Sequence, residues 1–242
     1  MLLQKLKAKL LCPHVSEQPH CVRGYGNFVD YLLQTKPRDE AMSTAVGGDY
    51  EATGEREADV LQYYGLREGM SLLDLGCGSG RLAHAISKRI NIDYLGLDVV
   101  PKLLDYARTK TPASYRFQIN HALSLPSTSK STDFVAAFSV FTHLLHAESY
   151  LYLEDIHRVL KPGGTLVFSF LEFSDPGHWS AFDGDVQNRR NHYDFPMNTL
   201  IERSVVPIWA QKLGFTVEAI VGGSERPWQT SPFGQTVAVL RA

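Results

Sequence analysis

From Leu72 onward, short apolar runs alternate with stretches whose apolar residues recur at helical spacing. Leu72 to Leu75 reads as a strand, and Arg81-Leu82-Ala83-His84-Ala85-Ile86 opens a helix over 80–89. Ile92 to Leu97 is the next strand, closing on Asp98. Pro101 suits the first turn of the following helix, whose apolar face carries Leu103, Leu104 and Ala107. Further strands are expected at Tyr115 to Ile119, Asp133 to Val140 and Thr165 to Leu171. A helix over about 147–160 separates the last two and stops at Lys161-Pro162-Gly163-Gly164. This alternation predicts an α/β fold: a parallel sheet with helices on both faces and right-handed crossovers.

The rhythm changes after the fifth strand. Residues 172–197 show no clean period and read as a long loop, the kind of insert that often carries function. Thr199 to Leu213 reads as a helix kinked or divided by Pro207. Val217 to Val221 and Gly234 to Leu240 are the last strands. The connection Gly222 to Gln229 is too short for a crossover helix, so this pair should be antiparallel. On the N-terminal side, Leu3, Leu6 and Leu10 share one helical face, and one short helix is expected around Phe28, Tyr31, Leu32 and Leu33. Thr53 or Gly54 should begin the helix that carries Ala58 to Tyr64, with acidic residues in its first turn. The expected organisation is therefore a helical extension or partial lid over 1–47 and a main domain over 48–242, with a substrate-side insert at 172–197.

Composition narrows the partners. The 242 residues carry 24 Lys plus Arg against 26 Asp plus Glu, a formal charge of -2. That balance does not suggest a duplex-binding surface or a basic membrane patch. Cys12, Cys21 and Cys77 form an odd and irregular set, unlike a disulfide framework. Cys12, His14, His20 and Cys21 lack the short paired spacing of zinc ligands, so no metal is expected. No apolar run approaches a membrane span, and Lys5, Lys7 and Lys9 interrupt any signal-peptide core. A cytoplasmic protein acting on a small molecule is the expectation.

The chemistry concentrates at Asp74-Leu75-Gly76-Cys77-Gly78-Ser79-Gly80, between the first strand and its helix. Glycines at such a turn admit unusual backbone angles and let a ligand approach the main chain. N–H groups at the start of the following helix favour polar ligand oxygens. Asp98 ends the neighbouring strand at the same sheet edge, where ligands of open α/β sheets bind. The turn differs from the Gly-x-Gly-x-x-Gly dinucleotide fingerprint, because Gly76, Gly78 and Gly80 alternate.

Four segments in this order, Leu-Leu-Asp-Leu-Gly-Cys-Gly-Ser-Gly, Tyr-Leu-Gly-Leu-Asp, Ser-Thr-Asp-Phe-Val-Ala-Ala-Phe-Ser-Val-Phe-Thr-His-Leu and Arg-Val-Leu-Lys-Pro-Gly-Gly-Thr-Leu, resemble the class I S-adenosylmethionine-dependent methyltransferases. The resemblance implies a Rossmann-like seven-stranded sheet of order 3-2-1-4-5-7-6, strand 7 antiparallel, and S-adenosylmethionine as cofactor. It places Asp74, Gly76 and Gly78 around the amino-acid part of that cofactor, Asp98 on the ribose hydroxyls and Val99 against adenine. His121 and Ala122 fall where relatives contact adenine, although relatives commonly carry an acidic residue at the position of His121. Ser139 falls beside the methionine part, and Tyr50 belongs to an element closing over the cofactor carboxylate.

The implied reaction is methylation of a small polar acceptor, foremost a hydroxyl of a sugar or natural product. Amine or carbon acceptors, or a non-catalytic partner protein of the same fold, are the alternatives. A base assists a hydroxyl acceptor, and His143, His178 and His192 are the candidates. The insert should supply the acceptor pocket, with Trp179, Tyr193 and Trp228 stacking on a ring and Arg189 or Arg190 holding an anion.

Overall fold

The computed structural model describes residues 22–193 and 196–242. The N-terminal leucine face and the Cys12–Cys21 group lie outside the described residues, as does Asp194 of the insert. Two helices lead into the domain, α1 (Val22–Thr35) and α2 (Arg38–Ala45), followed by α3 (Tyr50–Tyr63). The alternation then runs through β1 (Ser71–Leu75), α4 (Arg81–Ser87), β2 (Asp93–Asp98), α5 (Pro101–Lys110), β3 (Arg116–Ile119) and β4 (Thr132–Ala137). After a 3-10 turn at Phe141–His143 come α6 (His146–Val159) and β5 (Leu160–Phe170). A second 3-10 turn (Pro176–His178), α7 (Trp179–Arg190), α8 (Val205–Leu213), β6 (Thr216–Val221) and β7 (Thr236–Arg241) complete the chain.

The strands form one seven-stranded sheet in the order β3-β2-β1-β4-β5-β7-β6. Strands β1 to β5 pair in parallel, and β7 runs antiparallel to both β5 and β6. The order expected from the resemblance is the order observed. Its central strands are buried on both faces, as crossover helices require. One face packs Leu73, Val135, Leu166 and Phe168 against Leu153 and Ile156 of α6 and Val206 of α8. The other packs Leu72, Phe134 and Val167 against Val60 and Leu61 of α3 and Leu82 and Ile86 of α4. A third cluster joins Val29 and Leu32 of α1 to Met42 of α2 and to Leu103 and Tyr106 of α5. The leading helices are thereby packed over the edge of the sheet where the glycine turn lies.

Three local expectations are corrected. Residues 172–197 contain the second 3-10 turn and the three-turn helix α7, whose residues are all at least partly exposed. With no buried stripe, that helix left no apolar period in the sequence. The helix expected from Thr199 begins only at Val205, and Pro207 sits in its first turn, where a missing N–H costs nothing. Helix α3 starts at Tyr50, ahead of the Thr53 or Gly54 start. Gly214, in the left-handed region at φ 87°, ends α8.

Candidate functional site

The turn after β1 is shaped by contacts that only glycine permits. Gly80 has φ 84°, and a Cβ there would stand 2.7 Å from the Cβ of Ala107 on α5. Gly78 has φ 55°, and a Cβ there would stand 2.5 Å from Val46 at the end of α2. The turn is pinned from three sides. The Gly78 N–H donates to the Asp98 carboxylate at 2.9 Å, the Ser79 hydroxyl donates to the Met42 carbonyl at 3.0 Å, and the Tyr50 hydroxyl donates to the Ser79 carbonyl at 3.1 Å. A second pair of N–H groups, from Gly76 and Cys77, meets the Leu97 carbonyl at 2.7 and 3.0 Å.

A cavity of about 390 Å³ opens over this turn. At one end it is bordered by Asp74, Gly76, Gly78, Asp98, Val99 and Asn120. Asp98 accepts the N–H of Gly78 on one oxygen and that of Val100 on the other, at 2.9 and 2.8 Å. Each oxygen keeps a further lone pair, so a diol could donate to both. Asp74 is 3% exposed and accepts a hydrogen bond from the Tyr94 hydroxyl at 2.6 Å. Burial pushes its carboxyl up to about 8, and Tyr94 only partly offsets that. A buried acid bordering a cavity, with a neutral phenol as its hydrogen-bond partner, is suited to a cationic ligand group.

Behind this end lies an ion pair missed at the level of sequence. Glu57 of α3, 2% exposed as a residue, meets the Arg81 guanidinium at 2.6 Å, and Arg81 also donates to the Val46 carbonyl. Both residues border the cavity. Arg81 directly follows Gly80, and that adjacency was the available signal.

A second set of lining residues is of different composition: Tyr25, Phe28, Val140, His143, Leu144 and Gln235, with Pro196 and Asn198. Val140 stands against Gly76, and Tyr25 and Phe28 pack in the same cluster as Val99, so this set adjoins the first. Ser139, just beyond β4, holds φ 57°, a conformation uncommon for a side-chain-bearing residue. Its N–H donates to the Ser169 hydroxyl at 2.7 Å, and the Gln235 amide donates to its own hydroxyl at 3.1 Å. His143 follows on the first 3-10 turn. Its Nδ1 lies 3.2 Å from the Met197 carbonyl and its Nε2 lies 2.8 Å from the Tyr25 hydroxyl. A carbonyl only accepts, so Nδ1 carries the proton in the neutral ring and Nε2 presents its lone pair.

The remaining expected site residues stand elsewhere. Tyr50 does not border the cavity. Its hydroxyl holds the glycine turn, and burial pushes the phenol well above its ordinary range. His121 donates from Nε2 to the Val99 carbonyl at 3.0 Å, and neither it nor Ala122 borders the cavity, whereas Asn120 does. His178 is 2% exposed and fully engaged. Its Nδ1 accepts the Glu172 N–H at 3.0 Å and its Nε2 donates to the Gly234 carbonyl at 3.2 Å. Glu172, Asp175 and His178 offer ligand atoms within 4.8 Å of one another, but Arg203 and Thr236 already engage the Glu172 carboxylate. His192 is exposed just past α7 and does not border the cavity. His143 is thus the single member of the expected histidine trio that reaches it.

The aromatic and basic residues expected of the insert and its neighbourhood stand as follows. Trp179 and Tyr193 are 55% and 62% exposed, while Trp228 is 4% exposed and packed in the core with its indole N–H on the Ser231 carbonyl. None of these borders the cavity, nor do Arg189 and Arg190. Pro196 of the insert does border the cavity, and Asp185 of α7 accepts the N–H of Asn198 at 2.6 Å and its side-chain amide at 3.1 Å. Asn198 in turn belongs to the segment that supplies the carbonyl to His143. Among the described residues, no helix is long and apolar enough to cross a membrane.

Comparisons with known proteins agree on the domain. Residues 73–168 match a family model described as "Methyltransferase domain". The chain is similar to the demethylmenaquinone methyltransferase of Staphylococcus aureus, 34% identical over 122 residues, covering 48% of this chain and 48% of that protein. It thus matches about half the length of its curated relatives. Among solved structures, a chain of the Haloferax volcanii complex between the Trm112 methyltransferase activator and a protein described as a methyltransferase superposes with TM-score 0.65 at 22% identity, covering 90% of this chain and 98% of that one. A Thermotoga maritima protein described as an S-adenosylmethionine-dependent methyltransferase superposes with TM-score 0.63 at 15% identity, covering 92% and 99%. These structural likenesses establish the fold.

Proposed function

We propose that the chain is a class I S-adenosylmethionine-dependent methyltransferase that methylates a hydroxyl of an uncharged small molecule, with His143 as the base. The glycine turn would receive the amino-acid part of the cofactor beside Asp74, and Asp98 would take its ribose hydroxyls. Bound there, S-adenosylmethionine supplies a methyl group already activated on a sulfonium. The protein's own work is alignment, exclusion of water and removal of one proton.

The observation that carries the reading is the setting of His143. Its Nδ1–H is directed to the Met197 carbonyl, so Nε2, which accepts from the Tyr25 hydroxyl, is the basic atom of this cavity-lining residue. Among the described residues, the charged ones that border the cavity are Glu57, Asp74, Arg81 and Asp98, and Glu57 and Arg81 are paired with each other. The acceptor end is lined by aromatic, aliphatic and neutral amide side chains, a surface matched to an uncharged acceptor with a polar tip. Phenols and hydroxylated natural products fit it better than the phosphorylated or carboxylated compounds that Arg189 and Arg190 would have favoured.

The test is calorimetric titration with S-adenosylmethionine, followed by incubation with matched neutral and anionic hydroxyl compounds and mass analysis. Cofactor binding with a methyl mass gain on neutral members is the expected result. No binding, or methylation confined to anionic members, overturns the proposal.

A further inference from the structure

We infer that Tyr25, carried by α1, is a second catalytic residue that relays the acceptor proton to His143. The inference rests on the proposed role of His143. The Tyr25 hydroxyl lies 2.8 Å from Nε2, and the two rings meet edge to face with centroids 5.1 Å apart. Both residues border the cavity. The neighbouring nitrogen of the imidazole is committed to the Met197 carbonyl, so the phenol is the donor and Nε2 the acceptor in this pair.

This arrangement has a chemical consequence. The atom that must receive the acceptor proton already holds a hydrogen bond from Tyr25. An acceptor hydroxyl can donate to the Tyr25 oxygen, which retains acceptor capacity while its own proton points at Nε2. During transfer, the acceptor proton moves to the Tyr25 oxygen and the Tyr25 proton moves to Nε2. The acceptor oxygen's electron pair forms the bond to the methyl carbon, and the carbon–sulfur pair returns to sulfur. One proton leaves the acceptor and one arrives on the imidazole, so Tyr25 ends as a neutral phenol and His143 as an imidazolium. The positive charge of the sulfonium has passed to the imidazolium.

The relay also explains why a catalytic group would sit on a leading helix. Val29 and Leu32 anchor α1 against α2 and α5, and Phe28 stands beside Tyr25 at the cavity wall. The Ser79 hydroxyl ties α2 to the glycine turn through the Met42 carbonyl. Cofactor seating and placement of the relay are therefore linked through one packed unit.

The test compares wild type, Tyr25→Phe, His143→Ala and the double variant, all as the full chain. The first readout is the imidazole nitrogen spectrum of His143 with S-adenosylhomocysteine present. The Nε2 resonance should move in Tyr25→Phe toward that of an unbonded lone pair, with Nδ1 still protonated; an unmoved resonance overturns the inference. The second is single-turnover transfer to a neutral phenol. Tyr25→Phe should lower the rate constant roughly 100-fold, on the scale of general acid–base catalysis, with cofactor affinity unchanged. The double variant should be no slower than His143→Ala. Additive losses, or a fall in cofactor affinity at an unchanged rate, overturn the relay and leave Tyr25 as a packing residue. A wild type that binds cofactor and shows the spectral change but methylates no neutral hydroxyl compound overturns the acceptor reading, and the relay with it.

Discussion

The two ends of the cavity are built on opposite principles. The cofactor end centres on two adjacent strand ends and the turn after β1, within residues 74–99, joined by Asn120 and by Glu57 of α3. Its Asp74 is buried, its Asp98 is partly buried, and its main chain is fixed by contacts that would collide with any side chain at Gly78 or Gly80. The acceptor end gathers α1, the turn after β4, the segment 196–198 and the residue before β7. Its polar groups are held by partners from distant parts of the chain: Met197 on His143, Gln235 on Ser139, Asp185 on Asn198. A ligand shared by a whole family can be recognised by a short local motif. A ligand particular to one protein is met by surfaces brought together from distant parts of the chain.

The contrast can be broken most severely at the ion pair behind the cofactor end. Glu57→Ala should cost about 3–5 kcal/mol, because it strands the Arg81 guanidinium in a largely buried position. Urea unfolding measures this, and a loss below about 1 kcal/mol would show that water reaches Arg81. His143→Ala should lower the methyl-transfer rate by about 10²–10⁴-fold while leaving cofactor affinity intact. Equal loss of both would mean that the two ends are not separable. Asp98→Ala should weaken cofactor binding by roughly 1–3 kcal/mol in calorimetry, and unchanged affinity in a folded variant would remove Asp98 from the site.

A subtler test uses pH. The Asp74 carboxyl is held at about 8 against an ordinary value of 3.8. Between those values the folded protein binds a proton that the unfolded chain has released. Stability should therefore fall as pH rises through that window, by at most ~1.4 kcal/mol per pH unit, and level off above it. Asp74→Asn should remove this component of the slope. A cofactor ammonium placed against Asp74 should expel its proton, so the binding heat near neutral pH should depend on the ionisation enthalpy of the buffer. A buffer-independent heat would count against that placement. The smallest effect is expected at Arg190→Ala, within about 0.5 kcal/mol in stability and without change in turnover. A marked loss of turnover there would return the insert's charged residues to the acceptor site.

The sheet was legible because its strands and crossover helices leave two distinct periods in the chain, and the short link between β6 and β7 leaves no room for a helix. The cofactor end was legible because Gly76, Gly78, Gly80 and Asp98 lie at fixed short distances in sequence, so local backbone geometry decides where they point. Helix α7 was invisible because it buries nothing, and period is a signal of burial. The three histidines could not be ranked, since a side chain's role depends on its partners. His178 is consumed by Glu172 and Gly234, His192 faces solvent, and His143 receives a carbonyl on one nitrogen and a phenol on the other. Tyr25 gave no sign at all, standing 118 positions from His143. Local spacing in the chain determined the α/β alternation and the glycine turn after the first strand, and the family resemblance supplied the strand order. Packing of remote segments decided the rest of the site, because which neutral groups meet across a cavity depends on contacts that no local pattern encodes.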